Sequence, residues 1–231
     1  MSSPIVVITG AAGALGKATA QTFLAQGATV VAVDLDEAQL RAAYGNNERV
    51  CIAPVNLTDA EKTVAAITSA LASHGAATVL CNIAGGFDMG PAVHETTDAM
   101  WRRMMDMNVA TLINVSRAVV PGMIAAGNGK IVNVAAASAT TGKGAMGAYC
   151  ASKGAVARLT ESMAMELRDA GVNVNAVAPS LIDTPANRAA MPDADTSKWV
   201  SLSDLASVIE FLASDRANAV HGAVVPVVGR S

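Results

Sequence analysis

The chain has 231 residues, of which 52% are hydrophobic and 15% charged, and its formal net charge is −3. This composition excludes a disordered chain, and the absence of a lysine- or arginine-rich run argues against a nucleic-acid-binding surface. The sequence starts without a basic leader and has no uncharged apolar run of about 18 residues, so we expect neither a signal peptide nor a transmembrane helix.

Short β-branched runs alternate with longer helical segments along the whole chain. Strands are predicted at 5–9, 29–33, 50–55, 78–83, 130–135, 172–177 and 223–228. Helices are predicted at 14–26, 36–44, 59–73, 97–126, 149–170 and 203–213. The strands are almost continuously apolar, which is typical of parallel strands covered on both faces. The sequence therefore predicts a single α/β domain over 1–231, a doubly wound parallel sheet of about seven strands with helices on both faces.

Local signals refine the ends of these helices. Asp36, Asp59 and Ser203 are candidate N-caps. Pro121 is expected to kink or end part of the helix at 97–126. The segment 180–200 is irregular and follows the sixth strand, so it should lie at the carboxyl edge of the sheet. There it would form a short substrate lid, with a plain surface connection as the alternative.

A glycine-rich stretch, "ITGAAGALGKA", follows the first strand and opens a helix. Gly10, Gly13 and Gly16 permit a tight turn and let backbone amides approach a pyrophosphate, which the helix N-terminus favours. Asp34 ends the second strand, 18 residues after Gly16, where a carboxylate can bind both ribose hydroxyls of NAD and repel a 2′-phosphate. We expect NAD(H) to be preferred, with NADP(H) possible.

Tyr149 and Lys153 lie four residues apart and share one face of a helix. A nearby ammonium stabilises a phenolate and lowers the pKa of the phenol, which makes Tyr149 a candidate general acid. A solvated helix face is the alternative when the pair is considered alone.

Cysteine and histidine usage predicts no metal site. The cysteines form no CxxC pair, which favours reduced thiols in a cytoplasmic protein, and the histidines have no ligand spacing. The residues concerned are Cys51, Cys81, Cys150, His74, His94 and His221.

Five stretches together resemble the short-chain dehydrogenase/reductase family: "TGAAGALG" (9–16), "CNIAG" (81–85), "YCASK" (149–153), "VNVNAVAPSLIDT" (172–184) and "FLASDRANAVHGAVVPVVG" (211–229). The resemblance covers essentially the whole chain. It implies a Rossmann fold and hydride transfer between a nicotinamide and a small carbonyl or alcohol substrate. It also implies pairing of the helices at 97–126 and 149–170 between subunits, in a homotetramer or homodimer.

The resemblance assigns roles to individual residues. Tyr149 would donate or accept the proton, Lys153 would hold the nicotinamide ribose and lower the pKa of Tyr149, and Asn108 would hold a water of the proton relay. Cofactor contacts are implied for Gly10, Gly13, Leu15, Gly16, Asp34, Asn56, Leu57, Asn82, Ala84, Tyr149, Lys153, Pro179, Ile182 and Thr184.

Four positions depart from the family pattern. Ala14 stands at the middle glycine, Ile83 at the second Asn of the NNAG motif, and Ser180 at the glycine after the sixth strand. Ala136 stands where the catalytic serine is expected, thirteen residues before Tyr149. Ser138 could replace that serine only if the loop bends, and losing such a donor typically lowers the rate by a factor of about 10²–10³.

Two alternatives to a carbonyl oxidoreductase remain open. Dihydropteridine reductases are similar in keeping Tyr and Lys without the Ser, and they reduce a reactive quinonoid imine with NADH, so Ala136 and Asp34 fit that branch. The other alternative is a dinucleotide-binding scaffold with little catalysis.

The remaining candidates lie outside these motifs. The methionine-rich run 100–108 is expected in the core or at a subunit interface. Arg188 is expected to pair with Asp183 or Asp193. Met89, Met146 and Met191 are candidates for lining a substrate pocket.

Overall fold

A seven-stranded, wholly parallel sheet forms the centre of the computed structural model, which describes residues 3–45 and 47–230. The strand order is β3-β2-β1-β4-β5-β6-β7. The strands are β1 Ile5–Thr9, β2 Thr29–Asp34, β3 Val50–Pro54, β4 Val79–Asn82, β5 Gly129–Val134, β6 Val172–Pro179 and β7 Val224–Val227. The order reverses between β1 and β4, so the carboxyl ends of these strands open a crevice of the kind in which such sheets bind ligands.

Helices cover both faces of the sheet, as predicted. They are α1 Ala14–Ala25, α2 Glu37–Tyr44, α3 Ala60–Leu71, α4 Asp98–Met105, α5 Thr111–Ala126, α6 Gly147–Leu167, α7 Pro185–Ala190 and α8 Leu202–Leu212. Successive side chains of a strand point to opposite faces. Val6 and Ile8 accordingly pack with α1, α2 and α8, whereas Val7 packs with α3, α5 and α6.

The caps at Asp36 and Asp59 are confirmed, because each carboxylate accepts a backbone N–H three residues on. The cap at Ser203 is wrong. Helix α8 starts at Leu202, and the extended residue before it, Ser201, accepts from the N–H of Asp204 through its hydroxyl.

Helix α5 does not end at Pro121, which lies inside it. The interruption occurs earlier, where a π-helical turn, Asp106–Ala110, joins α4 to α5. Such turns are frequent at functional sites. This one carries Asn108.

The continuous helix Asp98–Ala126 is long and apolar enough to cross a membrane by length and composition alone, although it contains Arg117 and so has no uncharged run of about 18 residues. The core helix of a soluble protein passes the same test. Here Val115, Val119 and Met123 are buried against the sheet.

The segment 180–200 is more ordered than predicted. Ile182 pairs with Val200, and Pro185 opens the short helix α7, which the sequence did not predict. Arg188 donates to Asp183 at 2.5 and 2.8 Å, so Asp183, and not Asp193, is the salt-bridge partner.

Candidate active site

The glycine loop is a turn too tight for side chains at two of its positions. Gly10 has φ +63°, and a Cβ there would lie 3.0 Å from the backbone nitrogen of Ala84. A Cβ on Gly16 would overlap the carbonyl oxygen of Gly10 and lie 2.7 Å from the Cα of Ala11. The N–H of Gly13 closes the turn on the carbonyl of Gly10 at 3.0 Å. The result is an open backbone cradle at the N-terminus of α1.

The carboxylate of Asp34 connects this loop to the end of β2 by hydrogen bonds. Its Oδ2 accepts from the N–H of Ala12 at 2.9 Å and its Oδ1 from that of Leu35 at 2.7 Å. Tyr44, which the sequence reasoning missed, donates from its hydroxyl to the carbonyl of Ala11 at 2.6 Å. Burial, and secondarily the charge of Asp34, raises the pKa of Tyr44 to about 12, so the phenol stays a donor.

A buried polar chain runs from the crevice towards α6. Asn82 donates from Nδ2 to Oδ1 of Asn133, and Asn133 donates from Nδ2 to the hydroxyl of Thr160, each at 2.9 Å. Oδ1 of Asn82 has no hydrogen-bond partner within 3–45 and 47–230. The lone asparagine in the apolar stretch "KIVNVA" was the only sequence signal for Asn133.

Lys153 is buried and directs its ammonium to the end of β5. Its Nζ donates to the carbonyl of Val134 at 2.9 Å, and no carboxylate of the described chain pairs with it. Burial lowers the pKa of Lys153 to about 8. Burial also raises the pKa of Tyr149 to about 12, with a smaller contribution from Cys150. The resemblance implies that Lys153 lowers the pKa of Tyr149, whereas here desolvation of the phenolate sets the direction of the shift.

Asn108 occupies the π-helical turn and is 2% exposed. Its amide clasps Gly86, accepting from the N–H and donating to the carbonyl at 3.0 Å each. Nδ2 also donates to the hydroxyl of Ser152 at 3.0 Å, and that hydroxyl donates to the carbonyl of Tyr149 at 2.8 Å. Asn108 thus connects the loop after β4 to α6.

Gly85 marks where these groups converge. A Cβ on Gly85 would lie 2.6 Å from Oδ1 of Asn108 and 3.2 Å from Nζ of Lys153. The structure therefore brings Asn108 and Lys153 to one point at the carboxyl end of β4.

The position of the missing serine lies beside the same helix. Strand β5 ends at Val134, Ala136 is extended and 5% exposed, and a 3₁₀ turn follows at Ala137–Ala139. The turn packs on α6, with the carbonyl oxygen of Ala139 3.5 Å from where a Cβ on Gly154 would be. The chain therefore bends, as replacement by Ser138 requires. Ser138 is 7% exposed.

The remaining predicted cofactor residues lie at the same edge of the sheet or in the segment after it. Asn56 is exposed after β3, and Leu57 beside it is buried. The N–H of Ala84 donates to the hydroxyl of Thr9 at 3.0 Å. The others are Leu15, buried in α1, Pro179 at the end of β6, Ile182 in the bridge to Val200, and Thr184, which caps α7.

The methionines predicted to matter fall into two groups. Met104 is fully buried, and Met100 and Met107 pack where side chains on Gly90 and Gly86 would otherwise lie, so this run belongs to the packing under the loop after β4. Met89 is 61% exposed, whereas Met146 and Met191 are half-buried.

Sequence reasoning also missed Phe87. Its ring lies 4.9 Å from that of Tyr149 between centroids, with the planes at 85°. An aromatic residue directly after the "AGG" of the loop was the available signal. Across the two described stretches, no group of three or more His, Cys, Asp or Glu side chains gathers as a metal site would require.

Comparisons with known proteins identify the family. The family model for short chain dehydrogenases matches residues 4–195. The chain belongs to this family. It is 34% identical to 2-(S)-hydroxypropyl-CoM dehydrogenase 3 of Xanthobacter autotrophicus, over 99% of this chain and 96% of that protein. It is 33% identical to cis-4-hydroxycyclohexanecarboxylate dehydrogenase of Sinomonas cyclohexanicum, over 97% and 95%.

A solved structure extends the comparison to the cofactor. The gluconate 5-dehydrogenase of Burkholderia cenocepacia, in complex with NADP and tartrate, superposes with a TM-score of 0.90 at 28% identity, covering 99% of this chain and 95% of that one. The protein is thus an NAD(P)-dependent oxidoreductase of the short-chain dehydrogenase family. The cradle at Gly10 and Gly16 fits such a dinucleotide. These relatives do not favour an imine reductase or a scaffold without catalysis.

Proposed function

We propose that this short-chain dehydrogenase uses NAD(H) and interconverts a small ketone and its alcohol, with Tyr149 exchanging the proton. The observation that carries the proposal is the convergence of Lys153 and Asn108 at Gly85, next to the glycine cradle. Lys153 lies on the same helix as Tyr149, and Asn108 is connected to the carbonyl of Tyr149 through the hydroxyl of Ser152. When bound, the nicotinamide supplies or accepts the hydride.

Tyr149 suits the role of proton donor in the reductive direction. Because burial raises the pKa of its phenol to about 12, the hydroxyl is protonated throughout the neutral range and can pass its proton to the carbonyl oxygen as the alcohol forms. Lys153 has a pKa lowered to about 8 by burial, so its amine can gain and lose a proton near neutral pH. Lys153 would hold the nicotinamide ribose and return protons from solvent, and Asn108 would hold a water in that relay.

A preference for NADH over NADPH rests on the charge at the end of β2. Asp34 is held by the backbone of Ala12 and Leu35, so its carboxylate keeps a fixed position beside the glycine loop. Asp36 and Glu37 follow, and no lysine or arginine lies within 35–40. A 2′-phosphate would therefore meet like charge and no cation.

Ser138 is the proposed substitute for the serine that Ala136 lacks. The bend after β5 brings the serine onto α6, and its hydroxyl makes no hydrogen bond to another side chain or backbone group of the described chain. Such a hydroxyl is free to donate to a substrate oxygen. Ser138→Ala should lower kcat by about 10²-fold, the typical loss of one such donor, and unchanged turnover would remove Ser138 from the mechanism.

The segment 180–200 is proposed as the lid. It leaves the carboxyl end of β6 and is tied at its base by Ile182 and Val200 and by the N–H of Asp183 to the carbonyl of Val200 at 2.8 Å. α7 lies between these anchors. Thr184, at the start of α7, would contact the nicotinamide amide.

The protein is proposed to assemble through α4, α5 and α6. Trp101 is 46% exposed and Met165 is 74% exposed on these helices, an apolar surface that pairing would cover. A homotetramer or homodimer should appear in analytical ultracentrifugation, and Met165→Lys should shift it towards monomer. The unpaired Cys51, Cys81 and Cys150 suit a cytoplasmic location.

The test of the function begins with binding. NADH and NADPH are titrated by fluorescence, and a panel of ketones, aldehydes and a quinonoid dihydropterin is then assayed with wild type and Tyr149→Phe. Tyr149→Phe should retain NADH binding and lose at least about 10²-fold in kcat on ketones. Equal turnover by the two proteins would refute the proton-transfer role. Turnover of the dihydropterin alone would favour the imine reductase, and binding without turnover would favour a scaffold.

A further inference from the structure

Phe87 is a large aromatic side chain left half open beside the proton-transfer phenol. Its ring contacts that of Tyr149 edge to face, at 4.9 Å between centroids, and 54% of the residue is exposed. Aromatic surface of this kind dominates the contact energy of small-molecule sites. A substrate whose oxygen reaches the hydroxyl of Tyr149 must pass close to the Phe87 ring.

The backbone that presents Phe87 is held on both sides. Before it, Gly86 is clasped by the amide of Asn108 through two hydrogen bonds of 3.0 Å. After it, the N–H of Gly90 donates to the carbonyl of Ala145 at 2.8 Å, which ties the loop to the segment before α6. The backbone on either side of Phe87 is therefore held, and its open ring forms a wall of the site.

Two arginines, one beside Phe87 and one in the segment 180–200, are already paired with carboxylates. Arg103 lies 3.1 Å from Asp88, the residue next to Phe87, and the lid arginine, Arg188, is bound to Asp183. Each guanidinium would have to leave its carboxylate partner before it could hold a substrate carboxylate or phosphate. Lys143, on the exposed bend before α6, is the cation through which an anionic substrate could still bind.

We propose that the substrate is an uncharged ketone or secondary alcohol whose reacting carbon belongs to a ring, and that the ring packs on Phe87. The inference rests on the proposed function and names the substrate class of the same site. A rigid ring buries a flat apolar face without first ordering rotatable bonds, whereas a chain of equal carbon number must lose that freedom.

Kinetics on cyclohexanone and 2-hexanone, which have the same carbon number, test the ring preference. Wild type should favour cyclohexanone about tenfold in kcat/KM, the effect of one such contact. Phe87→Ala should abolish the preference by raising the KM for cyclohexanone more than the KM for 2-hexanone, with Phe87→Leu intermediate. Equal losses of kcat on both ketones would overturn the proposal, since Phe87 would then only position Tyr149.

Binding without turnover separates this inference from the proposed function. Cyclohexanol and 2-hexanol are added to the complex with NADH, in which alcohol cannot be oxidised, and saturation-transfer NMR reports their affinity. In wild type and in Tyr149→Phe, cyclohexanol should bind about tenfold more tightly than 2-hexanol. In Phe87→Ala, the two alcohols should bind with equal affinity. If cyclohexanol binds preferentially but no ketone is reduced, the proposed function is wrong and the ring-binding inference is supported.

A charged pair of substrates tests the second half of the inference. 4-Methylcyclohexanone should be reduced at least about tenfold more efficiently than 4-oxocyclohexanecarboxylate, because no free guanidinium meets the carboxylate. The reverse order, abolished in Lys143→Gln, would show that the site selects anions and would overturn the uncharged class.

Discussion

Replacing Asn133 by leucine should destabilise the protein, because the buried amide of Asn82 loses its hydrogen-bond partner. Asn133 is fully buried and is the link between Asn82 on β4 and Thr160 on α6, the helix of Tyr149. A leucine of similar size removes both bonds. It leaves the entire amide of Asn82, 5% exposed, without a partner, because Oδ1 of Asn82 already has none among the described residues.

The expected loss follows from counting what is broken. Each hydrogen bond contributes about 1 kcal/mol, and a buried donor left unsatisfied costs about 1–3 kcal/mol more. Two broken bonds and one unsatisfied donor together give a loss of about 3–5 kcal/mol for Asn133→Leu. For a chain of 231 residues, about 2–4 °C in Tm accompanies each kcal/mol, so the midpoint should fall by about 6–20 °C.

Urea and thermal unfolding at one fixed protein concentration measure this, with two matched variants. Thr160→Val breaks only the outer bond but leaves Nδ2 of the buried Asn133 without an acceptor among the described residues, so by the same count it should lose about 2–4 kcal/mol. The double variant Asn82→Leu/Asn133→Leu removes both amides and should recover most of the stability, since replacing both partners by apolar groups is nearly neutral. A Tm change under about 2 °C for Asn133→Leu, or additive losses in the double variant, would refute the reasoning.

Three further predictions concern the site. Asp34→Ser should raise kcat/KM with NADPH at least about tenfold relative to NADH, measured on one ketone, because the like charge is gone. From pH 8 to 10 the Tm of wild type should rise relative to Lys153→Met, because the native amine, with its pKa lowered to about 8, releases its proton before the unfolded one does. A fall in the Tm of wild type relative to Lys153→Met over this range would contradict the lowered pKa of Lys153. Ala136→Ser should increase ketone turnover about tenfold or more, because it restores a hydroxyl that can donate to the substrate oxygen. No gain would show that Ser138 already supplies this hydrogen bond in full.

Much of the fold could be predicted because parallel strands covered on both faces are continuous apolar runs, and the seven predicted runs all became strands within one or two residues. The helix N-caps were predicted correctly where a single candidate existed, at Asp36 and Asp59. At α8 two serines lay two residues apart, and backbone conformation decided for Ser201 over Ser203. The short helix α7 was missed because proline signals a break, although it is also favoured in a first helical turn.

The parts of the site that could not be predicted depend on contacts between distant segments. Tyr44 meets the glycine loop 33 residues before it, and Phe87 meets Tyr149 across the loops after β4 and β5. Spacing within one helix reports that Tyr149 and Lys153 share a face but not which other groups surround them. Their motif was therefore found, whereas their partners were not.

Two opposing effects act on the pKa of Tyr149. The four-residue spacing predicts an ammonium close enough to stabilise a phenolate, and that term alone lowers the pKa. The same helix packs its inner face on β5 and β6, so both groups are also desolvated, Lys153 down to 6% exposure. Desolvation disfavours both charged forms, raising the pKa of the phenol and lowering that of the amine. A protonated phenol beside an amine that titrates near pH 8 is arranged to give a proton to a carbonyl oxygen and to recover it from solvent, which is the reductive half of the proposed reaction.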